Sequence, residues 1–272
     1  MRPKTVCALL LLIPMLSCNL VQQKKESTET GSAGGEEIRI VKEYFDNGRI
    51  KSEIEAKGNL RHGITKNYSK NGKLLSEVHY INNKKEGPSV NYYPSGKVHT
   101  KLMYKNGVKD GESTWYYESG EVFRINPFKN GKLDGIQIFY FENGNTMAEV
   151  PFSNGQPGLG LKEYSESGTL LKNYPTIQFE EINQIYSHQN ITLKVFLSNK
   201  SSRVKFYFDK LVDGRFLDKK SLTTPVKGGI AEKEFRVLPG SVKEEKINVI
   251  AVYTTSYGLP YVMQKTYNLS VR

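Results

Sequence analysis

Cysteine is nearly absent from this chain: its 272 residues hold only Cys7 and Cys18. Both precede the bulk of the sequence, so no disulfide framework can staple it. Histidine is also scarce. His62, His79, His99 and His188 stand apart from one another and from any cysteine or carboxylate cluster, without the close ligand spacing of a metal centre. Ser76 and His79 come nearest to a nucleophile with its base. Residues three apart on a strand point to opposite faces, however, and no nucleophile elbow or oxyanion signature accompanies them. Glycine is plentiful, yet no Gly-Lys-Ser/Thr ending opens a helix as a phosphate loop requires. The chain is therefore expected to be no enzyme and to hold no cofactor or metal.

Concentrated charge is missing too. The formal net charge of +11 is spread over both halves, with 19 Lys+Arg against 15 Asp+Glu in residues 40–175 and 15 against 9 in residues 176–272. Without a dense basic stripe a nucleic-acid partner is not expected, whereas weak attraction to anionic glycans, lipids or acidic proteins is compatible with the surplus.

Only one long apolar run occurs, from Val6 to Leu16, behind Arg2 and Lys4. It has the form of a secretory signal and is too short to span a bilayer as a stable helix. Its ending, Met15-Leu16-Ser17-Cys18, resembles a bacterial lipobox, with Met15 in place of the usual leucine or valine. That resemblance implies a signal peptide over residues 1–17 and lipidation of Cys18. Acyl chains contribute about 0.8 kcal/mol per buried CH₂, and two or more are needed for stable anchoring, as a bacterial lipoprotein would have. Asn19 is not the aspartate of an inner-membrane retention signal, which favours an outer-membrane lipoprotein. Residues 18–38, rich in Gln, Lys, Glu, Ser, Thr and Gly, read as a disordered tether.

What is abundant is a 24-residue period. Tyr44, Tyr68, Tyr92, Tyr116, Tyr140 and Tyr164 share one phase, and Gly48, Gly72, Gly96, Gly120, Gly144 and Gly168 follow four places later. Inside a unit the residues alternate as in a half-buried strand: Ile50, Ser52, Ile54 and Ala56 face one way, and Lys51, Glu53 and Glu55 the other. Leu74, Ser76, Val78 and Tyr80, then Val98, Thr100, Leu102 and Tyr104, repeat the first face. Asn47-Gly48 and its equivalents suit two-residue hairpin turns with positive φ at both residues. A second turn set follows at Asn106-Gly107, Asn130-Gly131 and Asn154-Gly155, with Gly63, Gly87, Gly111 and Gly135 just after such turns. Residues 39–175 are thus read as a meander of β-hairpins.

Units such as Tyr68-Ser69-Lys70-Asn71-Gly72-Lys73-Leu74 running to Asn106-Gly107-Val108-Lys109-Asp110-Gly111 resemble MORN-type repeats, in the bacterial variant of the YwqK antitoxin-named family. The resemblance covers about half the chain. It implies an elongated, twisted antiparallel sheet with aromatic ladders, used mostly as an interaction module. Pro127, Pro151 and Pro175 lie 24 apart where earlier units have Glu55, His79 and Met103, which predicts bulges or looser pairing in the later repeats. Leu159 stands where the phase expects glycine. Repeating acids such as Glu53, Glu77 and Glu149 read as a solvated polar face.

After Pro175 the period stops. Alternating apolar residues at Ile191 to Leu197, Val204 to Phe208, Phe235 to Val237, Ile247 to Tyr253 and Tyr261 to Val271 predict a β-sandwich over residues 176–272. It resembles a generic immunoglobulin-like module without that family's cysteine pair or core tryptophan.

The fold class is therefore all-β, a hairpin-repeat sheet followed by a sandwich. Its expected role is a non-enzymatic, lipid-anchored envelope protein that binds a protein or an envelope polymer. Tyr92, Tyr93, Trp115, Tyr116, Tyr117, Tyr140 and Phe141 are the candidate binding surface, since Tyr and Trp join a large apolar area to a polar handle. Alternatives are a glycan-binding module using these aromatics, with peptidoglycan or host polysaccharide as partner, and an antitoxin-like inhibitor acting in the periplasm, because an exported chain meets no cytosolic toxin.

Overall fold

The computed structural model describes residues 37–271 together with the backbone of a two-residue strand, Glu29–Thr30. The signal segment, Cys18 and the rest of the spacer lie outside the described residues. Within the stretch expected to be a disordered tether, Glu29 and Thr30 pair with Ile40 and Arg39 as an edge strand.

The repeats form one 15-stranded antiparallel sheet in which consecutive strands are neighbours. Each unit supplies an up strand and a down strand, for example Ile50–Lys57 with Leu60–Tyr68, then Leu74–Ile81 with Lys84–Tyr92. In later units the down strand splits, as in Val108–Lys109 with Gly111–Tyr116 and in Lys132–Leu133 with Gly135–Tyr140.

The two turn sets differ. At Asn106-Gly107, Asn130-Gly131 and Asn154-Gly155 both residues have positive φ, as a two-residue hairpin turn needs. At Asn47-Gly48 only the glycine does, with φ +78°. Phe45 N–H donates to Arg49 O, and Gly48 N–H donates back to Phe45 O, closing a three-residue loop with a left-handed glycine. The two-residue expectation thus fails for this set. Serine can replace asparagine at Ser95, Ser119 and Ser167 because that position has ordinary φ.

The phased prolines also behave otherwise than expected. Register shifts occur in early units that lack the phased proline, between Ile54 and Ala56 and, opposite Gly87 and Pro88, between Val78 and Tyr80. The glycine-containing bulge lies opposite Glu55, His79, Met103 and Pro127 in turn. There the backbone N–H has already left the ladder: that of Met103 donates to Ser113 Oγ at 3.3 Å. The carbonyl remains in use, since Asp110 N–H donates to Met103 O and Asp134 N–H to Pro127 O, both at 3.0 Å. Proline at 127 or 151 removes no ladder bond, and both pair in register with the preceding strand, Pro127 with Glu112 and Pro151 with Ile136.

Units are tied along both edges. Asn106, Asn130 and Asn154 N–H groups donate to the carboxylates of Glu86, Asp110 and Asp134 in the preceding unit. On the opposite edge Lys73 and Lys97 donate to the carbonyls of Pro94 and Ser119 in the next turn. A lone hairpin is marginal in water, and these contacts make each unit depend on its neighbour.

Residues 177–271 form two sheets, one of four strands and one of three. In chain order these seven strands fall first-second-fifth-fourth on one sheet and third-sixth-seventh on the other, all antiparallel. Ile191, Leu193, Val195 and Phe235 from one sheet meet Phe206, Val249, Ala251 and Leu269 from the other in a single buried core. That arrangement is a sandwich. A one-turn helix, Ile185–His188, joins the first two strands.

The sandwich closes the end of the repeat sheet. Leu159, out of phase with the glycines, directs its N–H to Arg215 O at 2.9 Å and packs near Tyr207, Leu211 and Leu217. Leu259 enters a second core with Phe139, Ala148, Val150 and Leu161, while Tyr174 stacks on Tyr261 with centroids 4.2 Å apart. Between these lies Glu163, only 2% exposed, whose Oε1 accepts from Thr255 Oγ1 at 2.5 Å. The last unit departs from the period because it docks.

Candidate binding surface

Strand alternation divides the candidate residues between two faces. Tyr92, Tyr116 and Tyr140 occupy one face with Tyr68 and Tyr164. Trp115 lies on the other, where Ser113, Gln137 and Phe139 are buried. Tyr93 and Tyr117 follow their strands, and their hydroxyls donate to Tyr116 O and Tyr140 O in the next unit. Tyr117 also meets Phe123 edge-on at 5.1 Å, and Phe141 meets Tyr257 of the sandwich at 6.1 Å. The seven residues, all half-buried, therefore do not make one surface.

On the tyrosine face the repeating acids are partners rather than a free polar surface. The hydroxyls of Tyr68 and Tyr92 donate to Glu53 and Glu77 at 2.6 Å, and that of Tyr164 to Glu149 at 3.2 Å. Burial, then the carboxylate bond and charge, pushes the Tyr68 and Tyr92 phenols up to about 12. At the two central units Lys101 and Ile125 replace the acid, and Lys101 lies over the Tyr116 ring at 5.6 Å.

The opposite face is built in three rows crossing the strands. The row nearest the three-residue turns changes chemistry along the array. Asn67 donates to Ser76 at 2.9 Å and Asn91 to Thr100 at 2.7 Å. At the next equivalent pair stand Trp115 and Arg124, then Phe139 and Ala148, then buried Glu163 beside Ala148. The face thus runs from paired amides and hydroxyls, through a cation on an indole, into the apolar core beneath the sandwich. Arg124 is the pivot. Its guanidinium carbon lies 4.5 Å from the Trp115 centroid and 5.7 Å from that of Phe139. Burial lowers its pKa, and its Nε, shielded from solvent, has no hydrogen-bond partner among the described residues.

The middle row holds small or polar buried residues, including Thr65, Ser89, Ser113, Asn126 and Gln137. Gln137 donates to Asn126 at 2.7 Å. The third row, beside the bulge glycines, alternates cation and ring: Arg61, Tyr80, Lys85, Tyr104, Lys109 and Phe128. Tyr80 pairs across strands with Lys85, and Tyr104 with Lys109. Arg61 lies over Tyr80 at 5.3 Å, Lys85 over Tyr104 at 4.9 Å and Lys109 over Phe128 at 5.0 Å.

The family profile described as MORN repeat variant matches residues 61–82, 85–106, 109–130 and 133–154. Four of the units are MORN-variant repeats. Further hairpin strands flank the matched stretch on both sides, at Ile38–Tyr44 and Ile50–Lys57 before it and at Gln156–Pro157 and Lys162–Glu163 after it. No curated protein matches the chain. Each MORN-variant match opens at the third row, on Arg61, Lys85, Lys109 or Leu133, so the cation belongs to the repeated unit except in its last matched copy.

Sequence reasoning missed Arg124 and this third row. The 24-residue spacing of Arg61, Lys85 and Lys109, and of Tyr80, Tyr104 and Phe128, was available as a signal. That the two series interleave required the strand register. Among the described residues no cluster of three metal-ligating side chains occurs, and no helix is long and apolar enough to cross a membrane.

Proposed function

We propose that this protein is a non-enzymatic binding scaffold, lipid-anchored through Cys18 in a bacterial cell envelope, whose repeat sheet presents its three-row face to a partner. The observation that carries the binding role is the half-exposed aromatic and cationic face, repeated with the unit, so that recognition accumulates over several equivalent contacts. Aromatic and arginine side chains are the groups that dominate interfaces, and Trp115 with Arg124 places both at its centre. The seven-strand order of the C-terminal sandwich is that of constant-type immunoglobulin domains. This supports reading that region as an immunoglobulin-like module that ends the array and holds it rigid. The anchor rests on the lipobox-like run ending at Cys18.

Two measurements test the reading. Metabolic acyl labelling of cells expressing the full chain should tag the protein, and Cys18→Ala should remove the tag; an unlabelled wild type would overturn the anchor. Retention of immobilised protein on envelope fractions should fall at least about tenfold when Trp115 and Arg124 are both replaced by alanine, as expected for removing central contacts. Unchanged retention by that folded variant would overturn the use of this face.

A further inference from the structure

Resting on that scaffold reading, we propose that the cation–ring row of Arg61, Tyr80, Lys85, Tyr104, Lys109 and Phe128 binds a linear acidic glycan, one carboxylate-bearing disaccharide per repeat unit. Spacing comes first. Neighbouring strands lie about 4.8 Å apart, and each unit supplies two, so equivalent cations recur roughly every 10 Å. That is close to the length of one disaccharide in an extended β-linked chain. A polysaccharide with one uronic acid per disaccharide therefore presents its charges at the period at which the sheet presents Arg61, Lys85 and Lys109.

The chemistry between the charges also fits. Tyr80, Tyr104 and Phe128 alternate with the cations and are half-buried, which leaves ring surface for the apolar face of a sugar. Beside them the middle row offers small residues, Ser89 and Ser113 among them, in place of bulk that would hold a chain away. Acids at this edge do not oppose the ligand. Glu86 and Asp110 neighbour Lys85 and Lys109 in sequence, but their carboxylates are engaged by the N–H groups of Asn106 and Asn130 at the hairpin turns. In the last matched unit Leu133 takes the cation's place, so the charged track ends at Lys109. It ends beside Trp115, whose ring lies 6.0 Å from Lys109 Nζ.

Trp115 is the only tryptophan, so its fluorescence reports on the end of the track. The full chain is titrated with hyaluronate fragments of increasing length, followed by Trp115 emission and by calorimetry. Affinity should rise at least about tenfold from one disaccharide to three and then level off, as three linked contacts predict. The triple variant Arg61→Gln, Lys85→Gln, Lys109→Gln should lose at least about tenfold in affinity while keeping one cooperative thermal transition, lowered by the lost cation–ring contacts. Tyr104→Leu should also weaken binding, and Lys85→Arg should preserve it. Equal affinity for a neutral chitin fragment overturns the charge assignment. Polyphosphate or phosphatidylglycerol vesicles binding as tightly as hyaluronate, with no response to Tyr104→Leu, overturn the glycan. Absence of hyaluronate binding overturns this proposal alone if envelope retention still depends on Trp115 and Arg124; loss of both dependences overturns the scaffold as well.

Discussion

Arg124 lies across Trp115, its guanidinium carbon 4.5 Å from the indole centroid, at the point where the shared face passes from polar pairs to apolar core. The two residues are direct cross-strand partners. The cation is held by ring faces and side-chain packing, and no acid pairs with it among the described residues. Replacing Arg124 by alanine should cost about 1–2 kcal/mol, from the lost cation–ring attraction and the lost stem packing. Lysine should recover only part, because it lacks the flat guanidinium. Urea unfolding followed by Trp115 emission measures both, with a red-shifted native spectrum expected for the alanine variant.

Backbone position, and not proline itself, should decide tolerance in the array. Met103→Pro places the ring where Pro127 already sits, opposite a bulge, and loses only the 3.3 Å contact to Ser113. Its cost should stay near 1 kcal/mol. Leu102→Pro, one residue earlier, removes a ladder bond toward Ser89 and should cost about 3 kcal/mol or more. Parallel urea melts of the two variants distinguish the cases.

The bond between Thr255 and Glu163 should couple repeat sheet and sandwich. Thr255→Val leaves a carboxylate 2% exposed without this donor, a loss of about 1–3 kcal/mol. Trp115 reports on the array, and amide hydrogen exchange at buried sandwich residues such as Val195 and Val249, followed over a urea series, reports on the sandwich. In the wild type the two transitions should coincide; in the variant the array should unfold first.

Alkaline titration should separate the tyrosines paired with acids. Tyr68 and Tyr92 sit at about 12 in the folded chain, above the usual value of about 10. Because folding favours the neutral phenol, their stabilising contribution is complete below pH ~10 and is lost as pH rises through about 12. Tyrosinate absorbance should show these phenols ionising above the ordinary tyrosine range, together with Tyr267, whose hydroxyl donates to Glu181, and Glu53→Gln with Glu77→Gln should move Tyr68 and Tyr92 back toward that range.

Much of the array was legible in the residues. The tyrosine and glycine phases give the unit, alternation gives two faces, and Asn130-Gly131 gives a turn with both φ values positive. The first turn set was misread because Asn47-Gly48 has the same dipeptide as a two-residue turn. Its loop is one residue longer, fixed by the bond from Phe45 N–H to Arg49 O. The prolines were misread for a related reason: a missing N–H matters only if the ladder uses it, and the bulge glycines had already released that group.

The sequence by itself determined the period, the strand content and the change of character after Pro175, because these depend on local backbone preference and on spacing along the chain. Tertiary structure alone decided which side chains share a row, that Arg124 settles on Trp115, and that Leu159 leaves the period to dock against Arg215 and Leu217. These relationships join residues through hydrogen-bond register and through contacts between distant segments. Alternation defines two faces of a strand, but only its neighbours in space determine what each face meets.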